Sequence, residues 1–256
     1  MDSKKKLATW LIVAVAACFL LIILIFNRFT IKKAIETTLE TVMGGEPVTF
    51  QTQDGVEIFG LLFKSETSSG KKVVLLHMLG KNSSDWISLT KGLNYAGFDT
   101  LAMDLRGHGK SGGGNWEEFP ESEFGKMVLD ASAGANYLRN SQSGQISFIG
   151  ASIGANVALN YASSDPNVKA LVLLSPGLNY KGVETVNVAK KYSGPVLIIT
   201  SSNDPQSYEG LPTWEKSIKD LEIITYTDAG HGTDMFKTHP DLEGKIIEWL
   251  NKKISP

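Results

Sequence analysis

Six short apolar runs recur along this chain, separated by stretches long enough for a helix, and that alternation restricts the fold more than any other feature. The runs are Val73–Leu76, Thr100–Met103, Ile146–Ile149, Ala170–Leu174, Pro195–Ile199 and Glu222–Tyr226. Their hydrophobicity is continuous rather than alternating, which suits strands covered on both faces. Between and after them, 83–97, 121–139, 153–164, 182–192, 207–220 and 241–253 are each long enough for a covering helix, so the pattern is repeated βα. Ahead of the first run, Val48–Gln53 and Val56–Lys64 flank Asp54-Gly55, a hairpin signal. The expected class is therefore α/β, a mostly parallel central sheet with helices on both faces and an antiparallel entry. There is no internal repeat, low-complexity stretch or second domain.

One longer apolar run stands apart. Leu7–Phe26 is uncharged and overwhelmingly apolar, and as a helix of about 30 Å it matches a bilayer core. It reads as a single-pass membrane anchor. A cleaved signal fits less well, because the run is too long and no small-x-small site closes it. Val15-Ala16-Ala17-Cys18 has the look of a lipobox, but the residues after Cys18 stay apolar where a lipidated end is usually polar. The chain thus divides into an anchor with basic flanks (1–33), a linker (34–46) and one large domain (47–256).

Charge divides the same way, with +5 through Lys33 and −7 beyond it. An acidic domain disfavours nucleic acid, whose phosphates need clustered Lys and Arg. Lys4, Lys5 and Lys6 with the α-amine nearly balance Arg28, Lys32 and Lys33 across the span. The balance tilts toward a cytoplasmic N-terminus, with the large domain on the far side. Cys18 is the single cysteine, which excludes an internal disulfide, a four-cysteine zinc site and an iron–sulfur cluster.

Three glycine patterns suggest chemistry, and context separates them. Gly107-His108-Gly109-Lys110-Ser111-Gly112 satisfies G-x-G-x-x-G after a strand, yet Gly113-Gly114-Asn115 and Pro120 follow where a helix would have to open on a pyrophosphate. A P-loop reading of Gly109-Lys110-Ser111 needs glycine at 104, which is aspartate. G-x-S-x-G occurs twice, at Gly109–Gly113 and Gly150–Gly154. Only the second has a buried strand before it (Ile146–Ile149) and a small, apolar helix after it (Ile153–Ala162), the setting of a nucleophile elbow. That makes Ser152 the candidate nucleophile, whereas the copy around Ser111 has neither strand nor helix beside it.

Taken together, these segments resemble the α/β-hydrolase superfamily, of the serine esterase and lipase kind, over about 47–254. Leu75-Leu76-His77-Met78-Leu79-Gly80 is similar to its His-Gly-x-Gly oxyanion loop, and Asp104–Ser111 to its D-x-R-G-x-G-x-S segment. The resemblance implies the order Ser, acid, His, which picks out Ser152, Asp204 after Val196–Thr200, and His231 after Ile223–Tyr226. Asp228 and Asp234 are the alternative acids. His77 and His108 fall in loop-shaping motifs, and His239 precedes a proline opening the last helix. The implied oxyanion donors are the N–H of Ile153 and one from the Met78–Leu79 segment, with Leu79 the choice; Met78, standing where the family has glycine, departs from the pattern and leaves that second donor open.

Those residues imply a membrane-anchored serine hydrolase cleaving carboxylic esters of small or medium acyl groups through an acyl-enzyme on Ser152, with no metal or organic cofactor. Thioester, amide or acyl-transfer chemistry would use the same triad. A catalytically silent binding module is the reading from another class, and the presence of all three triad residues counts against it. A nucleotide-dependent oxidoreductase rests on Gly107–Gly112 alone. Residues 175–195 leave room for one helix and loops, too little for a lid domain. The site is therefore expected to be open, walled by Met78, Leu79, Trp116, Phe119 and Tyr180. Oligomeric state is not readable.

Overall fold

Strands that are apolar on both faces require a layer of helices on each side of the sheet. The computed structural model describes residue 28 and residues 45–254 apart from 68, 142 and 143. The expected anchor Leu7–Phe26 and nearly all of the linker lie outside them. Gly45–Pro256 forms one compact unit. Among the described residues no helix is long and apolar enough to cross a membrane.

The large sheet contains β1 (Glu46–Gln51), β2 (Glu57–Phe63), β3 (Lys71–Leu76), β4 (Phe98–Met103), β5 (Gln145–Ala151), β6 (Val168–Leu174), β9 (Val196–Ser201) and β10 (Leu221–Tyr226). The short strands β7 (Asn179–Tyr180) and β8 (Val183–Glu184) pair separately as a hairpin. The order is β1-β2-β4-β3-β5-β6-β9-β10. Pairs β1–β2 and β2–β4 are antiparallel, and every pair from β4 to β10 is parallel. The first turn uses Gly55 at φ 82° and places Asp54 against the buried Arg106, at 2.8 Å.

Alternate residues of each central strand enter two different cores. Val74, Leu76, Leu101, Met103, Phe148, Leu171, Leu173 and Ile198 face one side; Val73, Leu75, Ala102, Ile149, Val172, Leu174 and Ile199 face the other. This explains the continuous apolar runs, since either half of the period-2 pattern needs a dry partner layer.

On the first side, α3 (Met127–Ser141) contributes Met127, Ala131, Ala135 and Leu138, a helical stripe, beside α4 (Ile153–Ala162). On the second lie α1 (Ile87–Tyr95), with Leu89 and Leu93, and α9 (Asp241–Lys253), with Leu242, Ile246, Trp249 and Leu250. Shorter helices occupy the loops: α2 (Glu121–Gly125), α5 (Val186–Ala189), α6 (Pro205–Tyr208), α7 (Leu211–Ser217) and α8 (Met235–Thr238).

One stretch departs from expectation. Residues 182–192 hold half of the β7–β8 hairpin and only the single turn α5, not a covering helix. Lys181 and Gly182, at φ 51° and 83°, supply the two positive-φ positions of a two-residue hairpin loop.

Candidate active site

The elbow is the tightest turn of the site. β5 ends at Ala151 and α4 begins at Ile153, leaving Ser152 alone between them at φ 53°, ψ −120°. A non-glycine residue in that region is strained and persists only where its surroundings over-determine it. Here the Ser152 N–H donates to the Leu174 carbonyl at 2.8 Å, while its carbonyl accepts the first helical bonds from Ala155 and Asn156. A Cβ at Gly154 would overlap the carbonyl oxygens of Leu76 and His77, and one at Gly150 would overlap the backbone of Gly154. Both glycines are thus required by close backbone approach.

Asp204 and His231 follow β9 and β10, the last two strands of the sheet, with β6 between them and the elbow strand β5. Asp204 caps α6 without using its carboxylate on the helix. Instead Oδ2 accepts from His231 Nδ1 at 2.8 Å, with Asp204 buried and the imidazole 37% exposed. That bond assigns the proton to Nδ1 and leaves Nε2 a free base. Their loops are stitched together by residues the sequence reading did not single out. Ser201 Oγ donates to Asn203 Oδ1 and accepts from the Ala229 N–H, and Asn203 Oδ1 also accepts from the Gly230 N–H. The alternative acids point elsewhere, Asp228 to His239 at 3.8 Å and Asp234 to Lys237 at 2.7 Å.

His77 sets the opposite wall. Its Nδ1 donates to the Met78 carbonyl at 2.8 Å and its Nε2 accepts from the Leu105 N–H at 2.9 Å. Because the peptide is planar and trans, fixing the Met78 carbonyl also fixes the Leu79 N–H on its far side. Leu79 and Ile153 both border the cleft that contains Ser152 and His231. Full burial and the neighbouring His108 push His77 down to about 3, so the ring stays neutral and holds this tautomer.

The Gly107–Gly112 segment is a knot that supports this loop. Asp104 accepts from the N–H groups of Ser83 and Lys110 at 2.7 and 2.8 Å. Ser111 Oγ donates to the Asp104 carbonyl at 2.6 Å and accepts from the Phe59 N–H at 2.9 Å, so this second serine is committed to structure. Arg106, buried, is held between Asp54 and Asp130. Burial pushes Asp130 up to about 6 against the pull of the guanidinium.

The cleft has a volume of about 300 Å³. Of the five expected wall residues, Leu79 and Tyr180 border it. The other three need correction because each is used for packing. Met78 is buried against the turn at Gly232, Trp116 stacks on His108 with centroids 5.3 Å apart, and Phe119 packs edge-on against Phe124. Asn179, Lys181 and Gln206, which the sequence reading missed, complete the rim. Among the described residues no trio of His, Cys, Asp or Glu is gathered to hold a metal ion.

Comparison with known proteins agrees with this fold. Residues 67–197, just over half the chain, match the family described as serine aminopeptidase, S33, and the chain belongs to that family. It is thereby an α/β hydrolase, a serine hydrolase with esterase-like structural neighbours. No curated protein matches it in sequence. The Pyrococcus furiosus esterase Pf2001 is 21% identical over 84% of this chain and 94% of its own, with a TM-score of 0.70. Est1E from Butyrivibrio proteoclasticus, solved with ferulic acid bound, is 21% identical over 82% of this chain and 100% of its own, also at 0.70. A membrane phospholipase A described as a bacterial virulence factor is 16% identical over 99% of both chains, at 0.70. At these identities the likeness is one of fold.

Proposed function

We propose that the protein is a membrane-anchored carboxylic ester hydrolase that works through an acyl-enzyme on Ser152. The observation that carries this reading is the 2.8 Å Asp204–His231 bond beside a cleft shared with a serine at a strained strand–helix turn. His231 Nε2 takes the Ser152 proton as Oγ attacks the ester carbonyl, and Asp204 stabilises the imidazolium. The oxyanion is held by the N–H groups of Ile153 and Leu79, each worth about 3 kcal/mol in such sites. The alkoxide then leaves with the proton from His231, and water, deprotonated by the same nitrogen, releases the acid.

An aminopeptidase would need an acidic group in the cleft for the substrate's α-amine. None of the residues bordering the cleft is acidic, and Asp204 is committed to His231, which favours esters. The cleft volume favours short acyl groups. Anchoring is supported by the apolar run Leu7–Phe26 and by a fold neighbour's description as a membrane phospholipase A. The hydrolase domain then lies on the non-cytoplasmic side. Protease added to intact cells should digest it, and full protection until lysis would place it in the cytoplasm.

The test is a panel of p-nitrophenyl acyl esters, thioesters and anilides, given to the full chain in detergent beside Ser152→Ala. Short esters should be the best substrates, and the variant should lose roughly four orders of magnitude or more in kcat. A variant that keeps its activity, or a parent faster on anilides than on esters, would contradict the reading.

A further inference from the structure

The β7–β8 hairpin is fastened to the catalytic end of the sheet more firmly than a surface excursion requires. Asn156, on the first turns of the elbow helix, donates through Nδ2 to the Val183 carbonyl at 2.7 Å and accepts through Oδ1 from the Gly177 N–H at 3.0 Å. Thr185 Oγ1 donates to the Gly177 carbonyl at 2.9 Å and accepts from Trp214 Nε1 at 3.2 Å. The three side chains, Asn156, Thr185 and Trp214, are all fully buried. A fully paired buried network of this kind specifies one position of the segment that it holds.

What it holds is Tyr180. The ring, 8% exposed, lies flat over Gly177, where a Cβ would come within 2.6 Å of Cε2 and Cζ. It stands edge-on to His231 with centroids 6.2 Å apart. Its hydroxyl donates to the Ser175 carbonyl at 3.3 Å, a long bond, and Tyr180 borders the same cleft as Ser152 and His231. Ser175 is itself a junction. Its backbone is turned to φ 47°, its N–H donates to the Ile199 carbonyl, and its Oγ accepts from Gly232 N–H next to His231.

On the reading of Ser152 as nucleophile, we infer that Tyr180 is a positioning residue for the serine oxygen, its phenol O–H turning from the Ser175 carbonyl to Oγ as Oγ gives up its proton. The proton balance is simple. The serine proton passes to His231 Nε2, and the phenol keeps its own, donating a hydrogen bond without transferring the proton. Burial and the Asp204 charge hold the phenol above the usual tyrosine range, so it remains a donor at the pH of the reaction. The weak bond to Ser175 makes the turn easy, since little is lost in leaving a 3.3 Å contact.

The experiment compares Tyr180→Phe with the parent, full chain in detergent, by two readouts: steady-state hydrolysis of a short p-nitrophenyl ester and the second-order rate of inactivation by a fluorophosphonate. A charge-assisted hydrogen bond lost only at the attacking oxygen predicts about a tenfold fall in both kcat and inactivation rate, with KM within about twofold. Gly177→Ala, whose methyl displaces the ring, should reproduce the loss and keeps the test open if Tyr180→Phe does not fold. Unchanged inactivation in whichever variant folds would overturn the inference, whether or not KM rises, because a substrate contact or a packing role would leave Oγ reactivity alone. Persistent labelling in Ser152→Ala would instead mark failure of the nucleophile reading itself.

Discussion

His231 receives its orientation from one carboxylate, and that makes Asp204 the most informative single residue. With Asp204 accepting from Nδ1 at 2.8 Å, the lone pair sits on Nε2; an amide at that position can donate to Nδ1 and favour the wrong tautomer. Asp204→Asn is expected to keep its fold and lose about 10⁴-fold in kcat. Asp228→Asn, altering an exposed side chain that faces His239, should stay within twofold. Steady-state kinetics on the two variants decides the matter, and the reverse pattern would move the acid to Asp228. At this scale His77 plays an equally local part, since its bond to the Met78 carbonyl aims the Leu79 N–H.

Among the elements, the elbow was legible in the sequence and the hairpin was not, for physical reasons. Gly150 and Gly154 stand where any side chain would strike backbone, so the turn leaves a mark that no other residue type could make. The same tightness predicts that Gly154→Ala costs about 3 kcal/mol, lowering Tm by roughly 10 °C, with activity falling in parallel as the Leu76–His77 backbone gives way. Thermal unfolding would read this, and an unchanged Tm would show that the elbow has slack. A mostly parallel sheet covered on both faces was likewise readable from the continuous apolar runs, whereas the order of its strands was not, because period and run length carry no record of which strand pairs with which. Residues 182–192 were read by length alone, although Lys181-Gly182 is a plausible two-residue turn and the hairpin's strands are too short for a period to show. A second signal lay in α4, where Asn156 interrupts an apolar helix. Buried and bonded to Val183 and Gly177, it marks the place where the hairpin docks. Ser201 and Asn203 carry no such signal, because their roles depend on two loops far apart in sequence.

At the scale of the whole molecule, buried ionisable groups set how the fold responds to acid. His77 and His108 are held below the ordinary histidine value of 6.5, His77 at about 3, so they contribute stability above 6.5 that is lost as pH falls toward 3. Asp130, raised from 3.8 to about 6, works in the other direction, its contribution growing as pH falls from 6 to 3.8. Below 3.8 Asp130 adds nothing more, while Asp54, held far down by Arg106, begins to lose its own share. Tm should therefore fall gently between pH 6.5 and 4 and steeply below 4; a uniform slope across both ranges would contradict this balance. The proposed chemistry turns on one oxygen atom in this fold, and the most direct measurement is to label the full chain with a fluorophosphonate and map the modified peptide by mass spectrometry. Modification on Ser152, absent from Ser152→Ala, is the predicted result; modification on Ser111 or elsewhere, or undiminished labelling of the variant, would contradict it.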